Sequence, residues 1–448
     1  MVKNVNIKGN RPKKAQNRPK SNGKRVLMAL SGGIDSAVSA WKLIQDGYEV
    51  EAAFMKNYAQ TKGLKYDECP WLTDRQDALR VAAFLGIPMH TVNFEKEYEK
   101  NVLNYFFKEY SAGRTPNPDV MCNKEIKFKL LYNWAMKNGF DYIATGHYAQ
   151  IGVSNSRGVQ ANKSVAKQSK KVPVDNFSNL KMTGETQNRK NIASFTASST
   201  NTDTSDAIYT LNRSADDFKD QTYFIYNITT PQLQHILFPI GSMKKSEVRE
   251  LAKKINLPNA EKRESMGLCF VGKIRLKEFL DQKLKPKSGA IVTTSGKKIG
   301  EHEGLAYYTI GQRQGVRVGA DGPWFVVRKD LKKNELVVIN NPKDKLLQVK
   351  EIEIHSVNWI TPPNFAKGDS PAKSKSIKFN PLKLKARFRH QGELQPITVE
   401  LIPSNSKKGA DKDSHYKVTF SKPQLAIASG QSLVMYDGKV CVGGGVIV

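Results

Sequence analysis

Cysteine is scarce in this chain of 448 residues: four, at Cys69, Cys122, Cys269 and Cys441, with no CxxC pair. That spacing excludes a zinc site of paired thiolates and a secreted disulfide framework. No apolar run reaches the roughly 18 residues of a membrane span, and no secretory apolar segment follows the basic start. A reducing interior compartment fits these absences. Acids are also few, 42 Asp and Glu against 71 Lys and Arg, for a formal charge of +29. A pI near 9.7 points to a polyanionic partner, nucleic acid first and an anionic membrane second. A lysine-rich solvated surface is the plain alternative. Apolar residues make up 39% of the chain, enough to fill real cores, and the length allows two or three domains.

Neither a GK[ST]-ended phosphate loop nor a GxGxxG turn marks the first glycine loop. In their place stands Ser31-Gly32-Gly33-Ile34-Asp35-Ser36. It follows the apolar run Val26–Leu30, which reads as a buried parallel strand. It precedes Ala37–Ile44, which reads as a helix with Val38 and Trp41 on one face. A strand that turns through glycines into a helix offers free N–H groups at the positive end of a helix dipole, which is an anion site.

Residues 1–24 form a basic tail: the first 25 residues hold nine Lys and Arg and no acid. With so few large apolar residues the tail is expected to be flexible and able to touch phosphates. A transit peptide is the competing reading, which its Asn- and Pro-rich, weakly amphipathic character disfavours. Residues 25–273 are expected to form a doubly wound α/β sheet, with strands at 48–55, 89–92 and 142–145 and helices at 74–85, 97–110, 128–137 and 245–255. In such sheets ligands bind beyond the carboxyl ends of the strands, so the Ser31 loop, Met55 and Gly146 are expected to share one crevice. Residues 153–206 are polar and read as a disordered insertion. From 274 the pattern changes to short strands divided by Gly, Pro and Asn. Two small β-rich modules are expected, 274–348 and a barrel-like 349–448 with polar insertions near 365–378 and 404–414.

Two further stretches carry chemistry. In Gly113–Phe128 the prolines Pro116 and Pro118 stiffen the backbone, and Asn117 and Asp119 ride on that turn. Cys122 is expected near the start of the following helix, whose dipole favours a thiolate. Asp119, three residues earlier, is placed to move a proton. In Glu264–Gly272 the apolar setting of Cys269 allows either a packed core residue or, with Cys122, a persulfide carrier and its resolving partner. His147 is open between a nucleotide contact and a core histidine. Cys69 and Cys441 read as structural.

Taken together, Ser31–Ser36, Phe54–Asn57, Gly113–Phe128, Ala144–Ala149, Lys219–Gln221, Ser265–Gly272, His302–Leu305, Tyr308–Arg313 and Gly443–Gly445 resemble, in order, the motifs of the tRNA-specific 2-thiouridylases. These pyrophosphate-loop enzymes replace O2 of the wobble uridine with sulfur. The resemblance implies an adenine nucleotide alpha hydrolase-like fold. It implies ATP, used with Mg²⁺, at Ala29, Leu30, Ser31, Gly32, Gly33, Ile34, Asp35, Ser36, Met55 and Gly146, with no dedicated protein metal site. It gives Asn117, Pro118 and Asp119 to the target base, Cys122 as nucleophile, Cys269 as persulfide carrier, and a disulfide between them after turnover. It gives Lys219, Asp220 and Gln221 to tRNA and, by a looser match, Arg387, Phe388 and Arg389. The partners it implies are the tRNAs for Lys, Glu and Gln and a sulfur donor, either a persulfide relay protein or a cysteine desulfurase. Between a bacterial cytoplasm and an organelle, the weak transit-peptide signal favours the cytoplasm, and no membrane partner is expected. Ala29, Ile34, Ala37 and Tyr58 depart from the usual pattern without removing a reacting group. Two alternatives differ in their needs. Another pyrophosphate-loop adenylating enzyme would not require both cysteines, and a non-catalytic tRNA binder would not require Asp35, Asp119 and both cysteines.

Overall fold

The computed structural model describes residues 3–5, 19–58, 70–155, 207–263, 276–281, 283–316, 318, 322–361, 381–402 and 414–448. Cys69 and the Glu264–Gly272 stretch with Cys269 lie outside the described residues, as do most of the basic tail and most of the three polar segments. Residues 152–209 form a separate compact unit, of which 152–155 and 207–209 are described, both extended.

The strand Arg25–Ala29 is the centre of the first sheet. Its burial is nearly complete, as a parallel strand covered on both faces requires. Glu49–Lys56 lies parallel on one side and Tyr142–Ala144 parallel on the other. Met89–Asn93 and Ile236–Leu237 extend the sheet outward, also parallel. The strand order reverses on either side of Arg25–Ala29, which opens a crevice at its carboxyl end. Helix Ile34–Gln45 buries Ala37, Val38, Leu43 and Ile44 against the sheet. Helix Lys245–Lys254 packs Val248 and Ala252 into the same core.

The tail expected to be flexible contributes one short strand. Lys3–Val5 pairs antiparallel with Met89–Thr91. Met89–Asn93 would otherwise be an edge strand with a row of unpaired N–H and C=O groups, so any extended segment nearby can gain by pairing there.

The β-rich half divides as the composition suggests. Four strands, Gly289–Thr293, Lys298–His302, Phe325–Asp330 and Glu335–Ile339, close over Ile291, Leu305, Val326, Leu336 and Val338. Six strands between Gln348 and Ile447 form a barrel, closed where Ile354 pairs with Ile447. Its interior holds Val418, Phe420, Leu433 and Met435. Cys441 is buried in this barrel, as a structural cysteine would be.

A buried ion pair fastens the barrel to the α/β domain. Asp220 and Arg387 are almost wholly enclosed and bond directly. Arg387 Nε also donates to the Tyr436 hydroxyl at 3.0 Å. Thr222 Oγ1 lies 2.9 Å from Asp220 Oδ2 and 3.0 Å from the Tyr436 hydroxyl. Removing one member leaves a buried charge without its partner. Arg387→Ala is therefore expected to lower stability by about 3–5 kcal/mol in urea denaturation, while Asp220→Leu with Arg387→Met recovers most of the loss.

Candidate functional site

The phosphate loop is built by its own hydroxyls. Ser36 Oγ donates to the Gly33 carbonyl at 3.0 Å and accepts from the Ser31 N–H at 3.2 Å. Leu30 N–H continues the strand to the Ala53 carbonyl at 2.9 Å. Gly32 sits at φ +78°, and a Cβ there would meet the Asp74 carbonyl oxygen at 2.4 Å. Gly146 follows the next strand end, and a Cβ on it would lie 2.8 Å from the Ser36 N–H. Only a bare backbone fits against this first helical turn. Ala29 to Ser36 and Gly146 are thus brought together, and Met55 lies buried at the end of the adjoining strand.

Asp35 stands in the first turn of its helix, and its carboxylate is held on two sides. Lys245 Nζ donates to its two oxygens at 2.7 and 2.8 Å. The Tyr148 hydroxyl donates to Oδ1 at 2.9 Å. Beyond Gly32, Lys262 bridges Asp74 and Asp77 at 2.8 and 2.7 Å. Burial alone would lower the pKa of this ammonium, but the two carboxylates outweigh it and raise it. Asn259 Nδ2 donates to the Gly32 carbonyl at 2.9 Å. Lys245, Lys262 and Asn259 are distant in sequence and carry no motif of their own, so only folding reveals them. Asn57, two residues past Met55, is buried with both carboxamide atoms unpaired.

The thiol helix starts earlier than expected. Asn117 caps it, its carboxamide oxygen accepting from Asp119 N–H at 3.1 Å and Val120 N–H at 3.3 Å, and Pro118 takes the first helical position. Pro118–Cys122 is α-helical and runs straight into a π-helical stretch, Asn123–Leu131, and then Tyr132–Lys137. Cys122 lies in the second turn, not at the start, and is fully buried. Asp119 precedes it by three residues and therefore shares its helix face. The helix ends beside the amino end of Tyr142–Ala144. A cleft beside its start is lined by Tyr105, Asn117, Met121, Lys124, Tyr226 and Gly430.

The turn before this helix is gripped by all three folded modules. Lys329 Nζ donates to the Gly113 carbonyl at 2.9 Å, and the Thr309 and Thr115 hydroxyls meet at 3.3 Å. From the barrel, the Ser429 carbonyl accepts Thr115 N–H, and Gln431 Nε2 donates to the Thr115 carbonyl, both at 2.8 Å. Within the α/β domain Arg114 pairs with the buried Glu109.

The RNA-contact candidates separate by burial. Asp220 and Arg387 are consumed in the buried ion pair and cannot reach an RNA in this conformation, which corrects the expectation for both. Gln221 is likewise engaged internally, its side-chain carbonyl accepting Tyr148 N–H at 3.0 Å. Lys219, Phe388 and Arg389 remain at least partly exposed. Beside them Phe218, which sequence reading passed over, is 65% exposed, with Lys219 Nζ 5.7 Å from its ring centroid. Gln391 Nε2 in the barrel turn donates to the Phe218 carbonyl at 3.3 Å. His147 resolves as a core residue: it is buried between Phe128 and Phe238, lies 2.7 Å from the Thr145 hydroxyl, and is kept neutral by burial. Among the described residues no group of three or more His, Cys, Asp or Glu is arranged to hold a metal, and no helix is long and apolar enough to cross a membrane.

Comparison with known proteins agrees with this architecture. Residues 24–273 match the family described as "tRNA methyl transferase HUP domain", 277–340 its "PRC-barrel domain", and 349–447 an "Aminomethyltransferase beta-barrel domain". A Pseudomonas fluorescens protein named "tRNA-specific 2-thiouridylase MnmA" is 38% identical over 95% of this chain and 94% of its own. Proteins of the same name from Acinetobacter baylyi (37% identical, 95% and 97% covered) and Lysinibacillus sphaericus (38% identical, 94% and 94%) match over similar lengths.

Two outcomes follow from this geometry. Gly146→Ala is expected to push Ser36 out of place and weaken binding of a non-hydrolysable ATP analogue at least about tenfold in calorimetry, with the fold retained by circular dichroism. Burial pulls the Lys329 ammonium from 10.5 down to about 8. The folded chain thus binds fewer protons than the unfolded one between those values, so stability gains there as pH rises. Thermal midpoints of wild type relative to Lys329→Met should increase from pH 8 toward pH 10.5 and stay level below about pH 7.

Proposed function

The chain belongs to the tRNA-specific 2-thiouridylase family, and we propose that it replaces the C2 oxygen of the wobble uridine in the tRNAs for Lys, Glu and Gln with sulfur, at the expense of ATP. What supports this reading is a glycine loop at the carboxyl end of the central strand and, in the same domain, a capped helix that carries Asp119 and Cys122, in a chain matching these relatives over almost its whole length. The family descriptions speak of methyl transfer, but a methyl donor needs neither adenylation nor a paired thiol.

A carbonyl oxygen leaves poorly, so it must first be activated. The uridine O2 attacks the α-phosphate of ATP, and pyrophosphate departs toward the Ser31–Ser36 loop, whose N–H groups and helix dipole favour the developing anion. The outer sulfur of a Cys269 persulfide then reaches C2, either by direct attack, after which Cys122 attacks Cys269 Sγ and breaks the S–S bond, or as sulfide freed beforehand by that same attack of Cys122. The C2–O bond to AMP breaks, and Cys122 and Cys269 are left as a disulfide for an external reductant. Asp119 moves the proton on the pyrimidine. Mg²⁺ carried in with the nucleotide would neutralise its phosphates. Asp35 is not free to hold it, since Lys245 and Tyr148 occupy its two oxygens. The persulfide sulfur comes from a donor protein, a relay or a cysteine desulfurase.

The partly exposed Lys219 and the exposed Arg389 and Phe218 form the RNA-facing surface of this reading, cations for phosphate and a ring for an unpaired base. An anticodon base is turned out cheaply because it sits in a loop.

The test is mass spectrometry of nucleosides from tRNA treated with the chain, ATP and a persulfide source, a cysteine desulfurase with free cysteine, or from a knockout strain with rescue. Cys122→Ser and Cys269→Ser are expected to abolish 2-thiouridine while tRNA-dependent pyrophosphate release persists. Asp119→Asn should cost about 10²–10⁴-fold in rate. Unchanged 2-thiouridine in the knockout would sink the assignment.

A further inference from the structure

The two groups that hold Asp35 are themselves both held by one loop. Lys245 heads its helix, and its backbone N–H donates to Asp216 Oδ2 at 3.0 Å. Tyr148 is gripped through its backbone, its N–H donating to Gln221 Oε1 at 3.0 Å and its carbonyl accepting the Gln221 N–H at 2.9 Å. Asp216 and Gln221 are the two shoulders of the loop 214–221. Between them Asp216 Oδ1 also accepts the N–H groups of Phe218 and Lys219, at 3.2 and 3.1 Å. Asp220, in the same loop, accepts the Ser214 N–H at 3.2 Å and makes the ion pair that ties the loop to the barrel. The loop therefore has a fixed base, an exposed tip at Phe218 and Lys219, and two arms that end on the carboxylate of the phosphate loop.

We propose that the loop 214–221 couples RNA docking to nucleotide binding, with Asp216 and Gln221 as positioning residues for Asp35 through Lys245 and Tyr148. The electrostatic reason is direct. A polyphosphate bound to the Ser31–Ser36 N–H groups lies beside Asp35, and two anions in one crevice repel. Lys245 on the carboxylate removes that repulsion, and the Tyr148 hydroxyl fixes the same oxygen. Where Lys245 stands depends on the backbone bond to Asp216. The carboxylate that orients Lys245 is also the one that orders the Phe218–Lys219 tip. RNA seated on the tip holds the loop in the arrangement that keeps both arms in place, so RNA and nucleotide bind more tightly together than apart. By linkage each ligand strengthens the other by the same factor.

This coupling rests on the tRNA reading of the Lys219 surface, and the experiment separates the two. Calorimetry on the full chain would give the affinity of a non-hydrolysable ATP analogue with and without saturating unmodified tRNA transcript, and the tRNA affinity alone. In wild type tRNA is expected to tighten the analogue at least about fivefold. Asp216→Asn keeps one acceptor for the tip and loses the one for Lys245. Gln221→Leu loses the hold on the Tyr148 N–H. Each should lower the ratio, and the double variant should bring it to about one, with thermal midpoints and tRNA affinity alone close to wild type. Lys219→Ala should weaken tRNA binding and leave the ratio intact at saturation. A ratio of one in wild type, or an unchanged ratio in the double variant, overturns the coupling. A wild-type chain that binds no tRNA overturns the RNA reading and the coupling with it.

Discussion

The turn that leaves one strand of the sheet meets the first turn of the helix that follows its neighbour, with no side chain between them. The Gly146 backbone lies against Asp35 and Ser36 so closely that a single methyl would collide with the loop's own N–H. Everything else at this end of the molecule is arranged around that contact. It fixes the glycine loop that the Ser36 hydroxyl braces from within. It brings Tyr148, two residues on, within reach of Asp35. It also places the His147 ring in the core, where burial between two phenylalanines makes it part of the packing. The reversal of strand order at Arg25–Ala29 is what permits the meeting, since the chain returns to the centre of the sheet at Tyr142–Ala144 from the opposite side.

The second constraint is the turn that precedes the thiol helix. A rigid Pro-containing segment can point a carboxylate and a thiol in a fixed direction only if its own frame is fixed. Here the frame is supplied from outside: one ammonium and one hydroxyl from the small sheet, one carbonyl and one carboxamide from the barrel. The β-rich modules are therefore part of the construction of the thiol site as well as candidate surfaces for a polyanion. The buried Asp220–Arg387 pair serves the same end. It holds the barrel in register with Thr222–Ile225, and the Phe224 carbonyl in that helix accepts the Asn123 carboxamide N–H at 3.1 Å, one residue past Cys122.

Much of this was legible in the chain. The strand–glycine–helix signal at 26–44 is local: the hydrophobic run, the glycines and the amphipathic helix all lie within about 20 residues, so the anion loop and its sheet follow from pattern alone. The switch from helices to short strands after 274 is equally local. What pattern could not supply was partnership across distance. Asp220 and Arg387 read as polar residues beside exposed ones, and their burial is decided by Thr222 and Tyr436. Lys245 reads as one lysine among many on a basic amphipathic helix, and only the fold shows it turned onto Asp35. The thiol helix starts well before the position that apolar periodicity indicates, at Pro118 instead of Phe128. Its first turns hold Asp119, Asn123 and Lys124, polar for reasons of capping and chemistry, and these mask the helical period.

The grip on Gly113–Thr115 also has a meaning for how the chain matures. The sheet that carries the phosphate loop is complete once Leu237 has been made, but the bonds that freeze the thiol turn come from residues beyond 300. A ribosome-bound or truncated chain would hold a finished nucleotide loop next to an unframed thiol. In chain order the frame of the thiol turn is thus completed last, since two of its bonds come from Ser429 and Gln431.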